Sequence, residues 1–374
     1  MFPTLVFDYT LWIVILGTSC LGFVSGVLGS FAVLKKQSLL GDAMSHAALP
    51  GIAIAFLLTH SKHTFVLLIG AIIAGWIGAL LMMVITRNTI LKEDAALGLI
   101  LSVFFGFGLV LLTYIQNLPI ATQSGLHTFL FGNAATLLLE DVLSIFGLGV
   151  IAILGVFLFW KEFKIITFDP NFANSLGFPI KRLDIFLTTL IVISIVIGLQ
   201  TVGVVLMSAM LIAPAAAARQ WTDRLGRMVL LSGVIGGVSG VSGALLSSLT
   251  LNIPTGPTIV LVVSAMTGFS LLFAPNRGLV FGWWRHRQHQ LMIKGQMVLS
   301  NMLLFSESHD DPFHPHDLGA LKAIGKGALN STMIDLEKKG WVYSPEKNVW
   351  GLTKKGYGVA IKLNGEGVSD VATS

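Results

Sequence analysis

Asp42 and His46 stand four residues apart, at the head of an apolar segment that continues to Leu58. Four residues are about one turn of an α-helix, so both side chains project from the same face. A carboxylate and an imidazole form a mixed oxygen and nitrogen ligand pair, which suits a divalent transition metal such as manganese, iron or zinc. An alternative needs no metal: Asp42 caps a helix that begins after Lys35 and Lys36, and His46 is a polar residue satisfied by the protein.

Two prolines interrupt apolar segments. Pro50 lies four residues after His46, and because proline has no N–H, the carbonyl of His46 loses its usual helical partner. Pro214 frees the carbonyl of Met210 in the same way and favours a kink. A freed carbonyl at membrane depth is tolerated where water, an ion or protein satisfies it. We therefore expect Pro50 and Pro214 to act in kinking or gating, with Pro50 on the face of Asp42 and His46.

The composition indicates that membrane helices position these residues. The chain has 374 residues, of which 54% are hydrophobic and 11% charged, and its mean hydropathy is +0.81. A soluble domain carries about a quarter charged residues. Ionisable side chains inside membrane segments are costly and therefore mark functional sites. The single cysteine, Cys20, excludes an intramolecular disulfide framework and a cysteine-based zinc site.

Segments of about 18–22 apolar residues can cross a bilayer. The nine segments predicted to do so cover residues 11–34, 39–58, 64–85, 95–115, 141–160, 184–199, 202–218, 228–250 and 257–274. The sixth and seventh are separated only by Gln200 and Thr201. Nine crossings place the two termini on opposite sides of the membrane.

The basic residues set the orientation. With the N-terminus outside, Lys62 is the only basic residue of the external loops. The cytoplasmic loops then carry Lys35, Lys36, Arg87, Lys92, Lys161, Lys164, Lys181, Arg182, Arg219, Arg224 and Arg227. This asymmetry follows the positive-inside rule. The sequence therefore predicts an all-α polytopic membrane protein with about nine transmembrane helices, an outside N-terminus and a cytoplasmic C-terminus.

The chain divides into two parts of different composition. Residues 1–275 are mostly apolar segments and form the predicted transmembrane domain. Residues 276–374 hold half of the lysines and arginines and form a predicted cytoplasmic tail. Because the basic residues lie in cytoplasmic loops and in this tail, the basic pI of 9.3 needs no nucleic-acid partner.

The longest cytoplasmic loop, residues 161–183, contains a predicted short helix. Asp169 is typical of a helix cap and Pro170 of the first turn of a helix. Gly177 is typical of a helix end. Apolar residues at Phe172, Ala173 and Leu176 give this helix a face to bury. Docking against another protein is one use of that face, and packing back on the chain's own helices is the alternative.

The motifs of an enzyme or a nucleotide-binding protein do not occur in the sequence. There is no G-x-x-x-x-G-K-[ST] and no G-x-G-x-x-G in a strand–helix context. No Ser–His–Asp or Cys–His arrangement is placed for nucleophilic catalysis. A protein of this kind that pumps must take its energy from a partner chain or from an ion gradient.

Taken together, the motifs resemble those of the manganese/zinc/iron class of ABC-transporter permeases. The likeness rests on Gly41–Gly51 (GDAMSHAALPG), Phe168–Gly177 (FDPNFANSLG), Val202–Ala216 (VGVVLMSAMLIAPAA), Leu130–Asn133 (LFGN) and Gly256–Thr258 (GPT). It implies a permease subunit of the bacterial cytoplasmic (inner) membrane, in contact with membrane lipid and paired with a second permease copy or a paralogue. Two cytoplasmic ATPase subunits would drive alternating access, and an extracytoplasmic metal-binding protein would deliver the ion.

The resemblance also assigns roles to residues. Asp42 and His46 become metal-path residues, and the metal is a transported substrate rather than a permanently bound cofactor. ATP hydrolysis resides in the separate subunits, so that the chain itself is not an enzyme. The residues expected to dock the ATPase are Phe168, Asp169, Pro170, Phe172, Ala173, Leu176 and Gly177.

The tail is similar to the winged-helix fold of bacterial regulators. A helix at 328–339 ends at Gly340, two strands flank a turn at 344–348, and Thr353 begins a last helix, so the domain spans about 317–363. Its net charge is small, which makes DNA an unlikely partner compared with an interaction or sensing role. A second metal candidate, with a polar linker as the alternative, is the cluster His309, Asp310, Asp311, His314 and His316.

Two other functions compete with an ATP-driven metal importer. An ion-gradient-driven metal transporter would need more intramembrane acids and an inverted repeat, and neither is evident. A membrane-tethered, metal-responsive regulator would use the tail as its output. The sequence leaves open whether the metal is manganese, zinc or iron, and whether the permease pairs with itself or with a paralogue.

Overall fold

The computed structural model describes residues 8–61, 63–118, 132, 134, 137–249, 253–307, 312–324 and 330–371. The chain forms two compact units, which divide between Leu279 and Val280. The helices of the first unit are α1 Tyr9–Leu34, α2 Leu40–Thr59, α3 Thr64–Asn88, α4 Glu93–Gln116, α5 Leu139–Leu158, α6 Trp160–Phe168, α7 Pro170–Ser175, α8 Ile180–Thr201, α9 Val204–Trp221, α10 Leu225–Leu249 and α11 Thr255–Phe273.

Eight helices within the described ranges are long and apolar enough to cross a membrane, and they are α1, α2, α3, α4, α5, α8, α10 and α11. The predicted span 202–218 coincides with α9, which is not among them. This helix is rich in alanine around Pro214 and carries Arg219 in its last turn, and both features lower its hydropathy. Much of α9 is buried in the protein, so it has less need of large lipid-facing side chains. Its crossing of the bilayer stays a prediction.

The break between α8 and α9 lies at Val202 and Gly203, two residues later than the sequence predicted. Gly203 has a φ of 90°, in the left-handed region that favours glycine. The predicted separator, Gln200 and Thr201, is helical instead. The glycine therefore ends the continuous helix, because its backbone turns where other residues would be strained.

Glycines hold α1 against α10. A Cβ on Gly22 would overlap the carbonyl of Gly236, and the reverse is also true. A turn further along, the hydroxyl of Ser232 donates to the carbonyl of Gly26 at 2.6 Å. The two backbones thus meet at small residues, which is how membrane helices approach closely without a hydrophobic driving force.

Neighbouring helices enclose α2. On one side its Gly51 meets Gly70 of α3 so closely that neither has room for a Cβ. On another side, Gly108 of α4 lies against Leu49 and Pro50. Pro50 is buried inside the helix, which continues on both sides of it. At these contacts the helices are packed so closely that an added methyl group would force them apart.

A charged cluster joins the ends of α1 and α3 to the beginning of α8. Asp184 pairs with Lys35 and also with Arg87, whose Nη2 lies 3.5 Å from a carboxylate oxygen. The side chains of Lys35 and Asp184 are only 14% and 23% exposed. Asp184 has no local sequence signal of this pairing, because its partners lie about 150 and 100 residues away in the chain.

Within the described residues, the second unit contains four helices and a small sheet. Its elements are α12 Leu279–Glu307, β1 His316–Asp317, α13 Leu318–Ile324, α14 Asn330–Lys338, β2 Val342–Glu346, β3 Val349–Leu352 and α15 Lys354–Val371. The sheet is antiparallel with the order β1-β3-β2. Its core is formed by one face of α12, which carries Leu299 and Met302, together with Met333, Leu336 and Trp350.

Helix, hairpin and helix follow one another in the tail as the sequence predicted. Gly340 ends α14 with a φ of 70°, and the hydroxyl of Thr353 accepts from the N–H of Gly356 at 3.0 Å as the cap of α15. The turn is shorter than predicted, because β2 continues to Glu346. The chain reverses direction at Asn348, which has a φ of 69°. The winged-helix assignment stays a prediction.

Candidate functional site

Asp42 and His46 both lie on α2, where the sequence predicted them to share a face. Leu39 occupies the position before the helix and its side chain makes no capping hydrogen bond. Asp42 is the third residue of the helix, so it is not the cap residue. Its negative charge, in the first turn, interacts favourably with the positive end of the helix dipole.

The two side chains face each other across one helical turn. Nε2 of His46 lies 3.4 Å from Oδ1 of Asp42. The histidine side chain is 13% exposed and the aspartate side chain 35%. A good N–H···O hydrogen bond has its heavy atoms 2.7–3.2 Å apart, so the pair is close without forming a normal direct bond.

The other ring nitrogen of His46 lacks a hydrogen bond. Nδ1 is buried and no polar atom of the described residues bonds to it. The ring itself packs edge-on against Phe105 of α4, with 4.5 Å between the ring centroids. Phe105 was not singled out from the sequence, since an aromatic residue in an apolar helix carries no local signal of a role.

The surrounding helices constrain this face of α2. Gly41, next to Asp42, approaches the backbone of Ser208 in α9. The hydroxyl of Ser45 donates to the carbonyl of Gly41 at 2.7 Å and is therefore occupied within the helix. Among the described residues, the acidic, histidine and cysteine side chains form no group of three or more that can hold a metal. Within the described ranges, the candidate site thus offers two side chains of a type that can bind a metal, those of Asp42 and His46.

Pro214 lies inside α9, which is continuous on both sides of it. The carbonyl of the preceding residue, Ala213, accepts a hydrogen bond from the hydroxyl of Thr267 in α11 at 3.0 Å. This polar contact therefore ties the backbone next to the proline to a neighbouring helix.

Three of the sequence motifs meet at the break between α8 and α9. A Cβ on Gly132, whose φ is 68°, would overlap the peptide of Val202 and Gly203. Gly256 approaches Val202 from α11, at distances that leave a Cβ little room. The neighbours of Gly132 in its motif, Leu130, Phe131 and Asn133, lie outside the described residues.

The loop between α5 and α8 contains the two short helices α6 and α7. Oδ1 of Asp169 accepts from the N–H of Phe172 at 2.9 Å and so caps α7. Pro170 is its first residue, and Gly177 follows the helix with a φ of 82°. The cap, the first turn and the end therefore lie where the sequence predicted them.

The apolar residues of this loop divide between two environments. Ala173 is fully buried and packs back on the chain. Phe168, Phe172 and Leu176, spaced four residues apart, are 52%, 54% and 55% exposed. Packing back on the chain therefore holds for Ala173, whereas docking against another protein through the larger, exposed side chains stays a prediction.

The candidate cluster in the tail is described only in part. His309, Asp310 and Asp311 lie outside the described residues. The rings of His314 and His316 stand 5.4 Å apart in an edge-to-face arrangement. Lys62 of the predicted external loop also lies outside the described residues.

Comparison with known proteins gives consistent results. The model of the ABC 3 transport family matches residues 7–274. The chain is 50% identical over 285 residues to the zinc transport system membrane protein TroC of Treponema pallidum, which covers 76% of this chain and 96% of the relative. It is 43% identical over 357 residues to the manganese transport system membrane protein MntC of Bacillus subtilis, covering 94% of this chain and 82% of the relative.

A solved structure shares the fold. PsaBC from Streptococcus pneumoniae in complex with Fab superposes with a TM-score of 0.64 at 32% sequence identity. The match covers 72% of this chain and 94% of the other.

Proposed function

We propose that this chain, which belongs to the ABC 3 transport family, conducts a divalent transition-metal ion along the face of α2 that carries Asp42 and His46. As a member of that family it is a membrane permease subunit of an ABC transporter and not an enzyme. Its apolar helices make it a multi-pass protein of the bacterial inner membrane. The relatives are named for zinc and for manganese, and a carboxylate with an imidazole accepts both ions.

The separation of the two side chains is the observation that supports this proposal. Two ligands held about 2.0–2.1 Å from one tetrahedral ion lie about 3.3 Å from each other. Nε2 of His46 and Oδ1 of Asp42 are 3.4 Å apart. The pair therefore has the spacing of two ligands of one ion, and it is slightly too wide for a direct hydrogen bond.

The incompleteness of the site also fits transport. A structural metal site is closed by four protein ligands, whereas an ion in transit must be bound weakly enough to leave. Two side chains from α2 leave the remaining coordination positions to water, to backbone oxygens or to groups outside the described residues. In this proposal the carbonyl of His46, freed by Pro50, adds an oxygen near the same face.

Energy for transport enters through the loop between α5 and α8. In this proposal the exposed stripe of Phe168, Phe172 and Leu176 docks on an ATPase subunit, and ATP-driven closure of two such subunits moves a pair of permeases between outward and inward access. Differential contacts in the two states drive the change. An extracytoplasmic metal-binding protein delivers the ion from the side of the N-terminus.

The first test measures total cellular manganese, zinc and iron by mass spectrometry in a strain that depends on this transporter. Wild type is compared with His46→Ala and with His63→Ala, an exposed histidine at the start of α3, at equal amounts in the membrane. We expect one metal to fall in the first variant and none in the second. If no metal changes with His46→Ala, the histidine is structural and the proposed path is wrong.

A second measurement distinguishes ATP-driven transport from coupling to an ion gradient. Uptake of the metal identified above is followed in cells whose partner ATPase is catalytically inactive. ATP-driven import predicts that uptake stops although the membrane potential is intact. Uptake that persists there, and disappears when the gradient is collapsed, would reject the ATP-driven mechanism.

A further inference from the structure

A wide groove lies where the end of α3 meets the segment that leads into α8. Its volume is about 1110 Å³. Three cationic side chains line it, Arg87 from α3 and Lys181 and Arg182 from the first turn of α8. None of the described residues that line it is acidic. The groove therefore presents a positively charged surface at the ends of two membrane helices.

The polarity of the groove changes along both helices. On α3, Val84 and Leu80 lie one and two turns before Arg87, towards the middle of the helix, and both line the groove. On α8, Ile185 lies one turn beyond Lys181 and lines it as well. The cations thus stand at the membrane surface, and the apolar side chains lead from them towards the membrane interior. A phospholipid has the same order of charge and apolar chain.

The positive charge of the groove is not balanced within the protein. Arg87 shares Asp184 with Lys35, at 3.5 Å. Within the described ranges, Lys181 and Arg182 have no ion-pair partner, and both are exposed. They also stand at the positive end of the α8 dipole, where a cation is unfavourable and an anion favourable. An anion between these side chains would supply the missing counterion and would also interact favourably with the positive end of the helix dipole.

We propose that this groove binds an anionic phospholipid. The headgroup phosphate lies between the side chains of Arg87, Lys181 and Arg182, and an acyl chain runs along Val84 and Ile185. A free phosphate would use the cations and leave the apolar wall exposed. An acidic protein surface would reach only the end of the groove that faces away from the membrane. The lipid uses both parts.

The site also lies beside the loop expected to dock the ATPase. Asn174 of α7 lines the same groove, and Phe178 connects α7 to α8 along its edge. A lipid bound here would hold the base of that loop against α3. Membranes rich in anionic lipid would therefore favour a fixed position of the loop.

Native mass spectrometry of the full-length chain tests the proposal. The protein is purified in mild detergent and titrated with phosphatidylglycerol or with phosphatidylcholine of the same acyl chains. Wild type is compared with the double variant Lys181→Gln/Arg182→Gln. The control, Lys161→Gln/Lys164→Gln, removes the same charge from exposed positions on α6 outside the groove.

The proposal predicts a preference for phosphatidylglycerol that falls about 30-fold in the groove variant, which is about five-fold for each of the two cations lost near a membrane surface. The control retains the wild-type affinity. Equal binding of both lipids by wild type, or equal loss in the two double variants, would overturn the proposal.

Two further measurements distinguish a bound lipid from a free anion and from the ATPase as the occupant of the groove. Inorganic phosphate at millimolar concentration leaves lipid binding unchanged if the acyl chain contributes, and displacement by phosphate would instead define a site for a free anion. Co-purification of the ATPase is measured with the same variants in detergent without lipid. Loss of the ATPase there, with lipid binding retained, would identify the groove as a protein-docking surface and reject the lipid site.

Discussion

The imidazole of His46 lies edge-on against the ring of Phe105, with 4.5 Å between the two centroids. Edge-to-face contact of this kind adds about 0.5–1.5 kcal/mol beyond the area that the rings bury. The contact joins α2 to α4 and limits rotation of the histidine ring towards α4. Phe105 is thus a positioning residue for the nitrogen that faces Asp42.

Replacing Phe105 by leucine keeps an apolar side chain and removes the flat wall against the imidazole. We expect the apparent KM for the transported metal to rise about 3- to 10-fold, because His46 samples more orientations and loses part of its pre-organisation. Initial rates of metal uptake over a range of metal concentrations measure this. Phe107→Leu, at an exposed position on the same helix, serves as the control. A fall in membrane abundance with an unchanged KM would show that Phe105 only stabilises the fold.

Asp42→Asn removes one negative charge and preserves the shape of the side chain. We expect metal uptake to fall about 10- to 100-fold, since an amide is a far weaker ligand for a divalent ion than a carboxylate. The control is Asp223→Asn, which breaks an exposed ion pair between Asp223 and Arg277, whose charged atoms are 2.7 Å apart. An exposed ion pair of this kind contributes about 0–1 kcal/mol to stability. Uptake by the control equals that of wild type. Normal uptake by Asp42→Asn would remove the carboxylate from the ion path.

Asp184→Asn tests the charged cluster at the helix ends. The substitution leaves Lys35, whose side chain is 14% exposed, without its counterion. Breaking a partly buried pair in this way is expected to destabilise the first unit by about 1–3 kcal/mol, less than the cost for a fully buried pair because the cluster retains some solvent. Thermal unfolding of the purified protein in detergent measures the loss. Arg87→Gln removes the longer and more exposed contact of Asp184 and should lower the unfolding temperature by less than Asp184→Asn does. Equal effects of the two substitutions would show that Lys35 is not the main partner of Asp184.

Two adjacent glycines on α10 give a matched test of helix packing. A Cβ on Gly236 would overlap the carbonyl of Gly22, whereas a Cβ on Gly237 would stand 3.5 Å from the nearest atom, the carbonyl oxygen of Ser19. Gly236→Ala should therefore destabilise the protein by about 1–3 kcal/mol as the helices separate. Gly237→Ala should be neutral or slightly stabilising, since alanine favours a helix. Unfolding temperatures in detergent distinguish the two, and similar values for both variants would show that the helices are not in close contact there.

Local patterns in the sequence were enough to predict some features of the structure. The face shared by Asp42 and His46 and the cap at Asp169 followed from helical spacing and from residue types that act within one turn.

Features that depend on distant segments were not predicted. The pairing of Asp184 with Lys35 joins residues far apart in the chain, and Phe105 acquires its contact with His46 only when α4 packs against α2. The break at Gly203 was misplaced by two residues, because apolar composition alone does not mark where a backbone leaves the helix. Strand β1 was missed because two residues are too short for an alternating pattern.

The exposed stripe on the loop between α5 and α8 leads to the last prediction. Phe172 is 54% exposed although it is large and apolar, and we expect it to be a hot-spot residue of the docking interface, which would contribute about 2 kcal/mol or more to binding. Phe172→Ser should therefore reduce co-purification of the ATPase subunit about 30-fold or more and should uncouple ATP hydrolysis from metal uptake. Ser175→Ala changes an exposed position on the same short helix, whose hydroxyl donates to the carbonyl of Phe172 at 2.8 Å, and should retain both the ATPase and the coupling. Quantitative pull-down of the ATPase with the purified permease measures the difference. Retention of the ATPase by Phe172→Ser at the wild-type level would place the docking surface elsewhere on the permease.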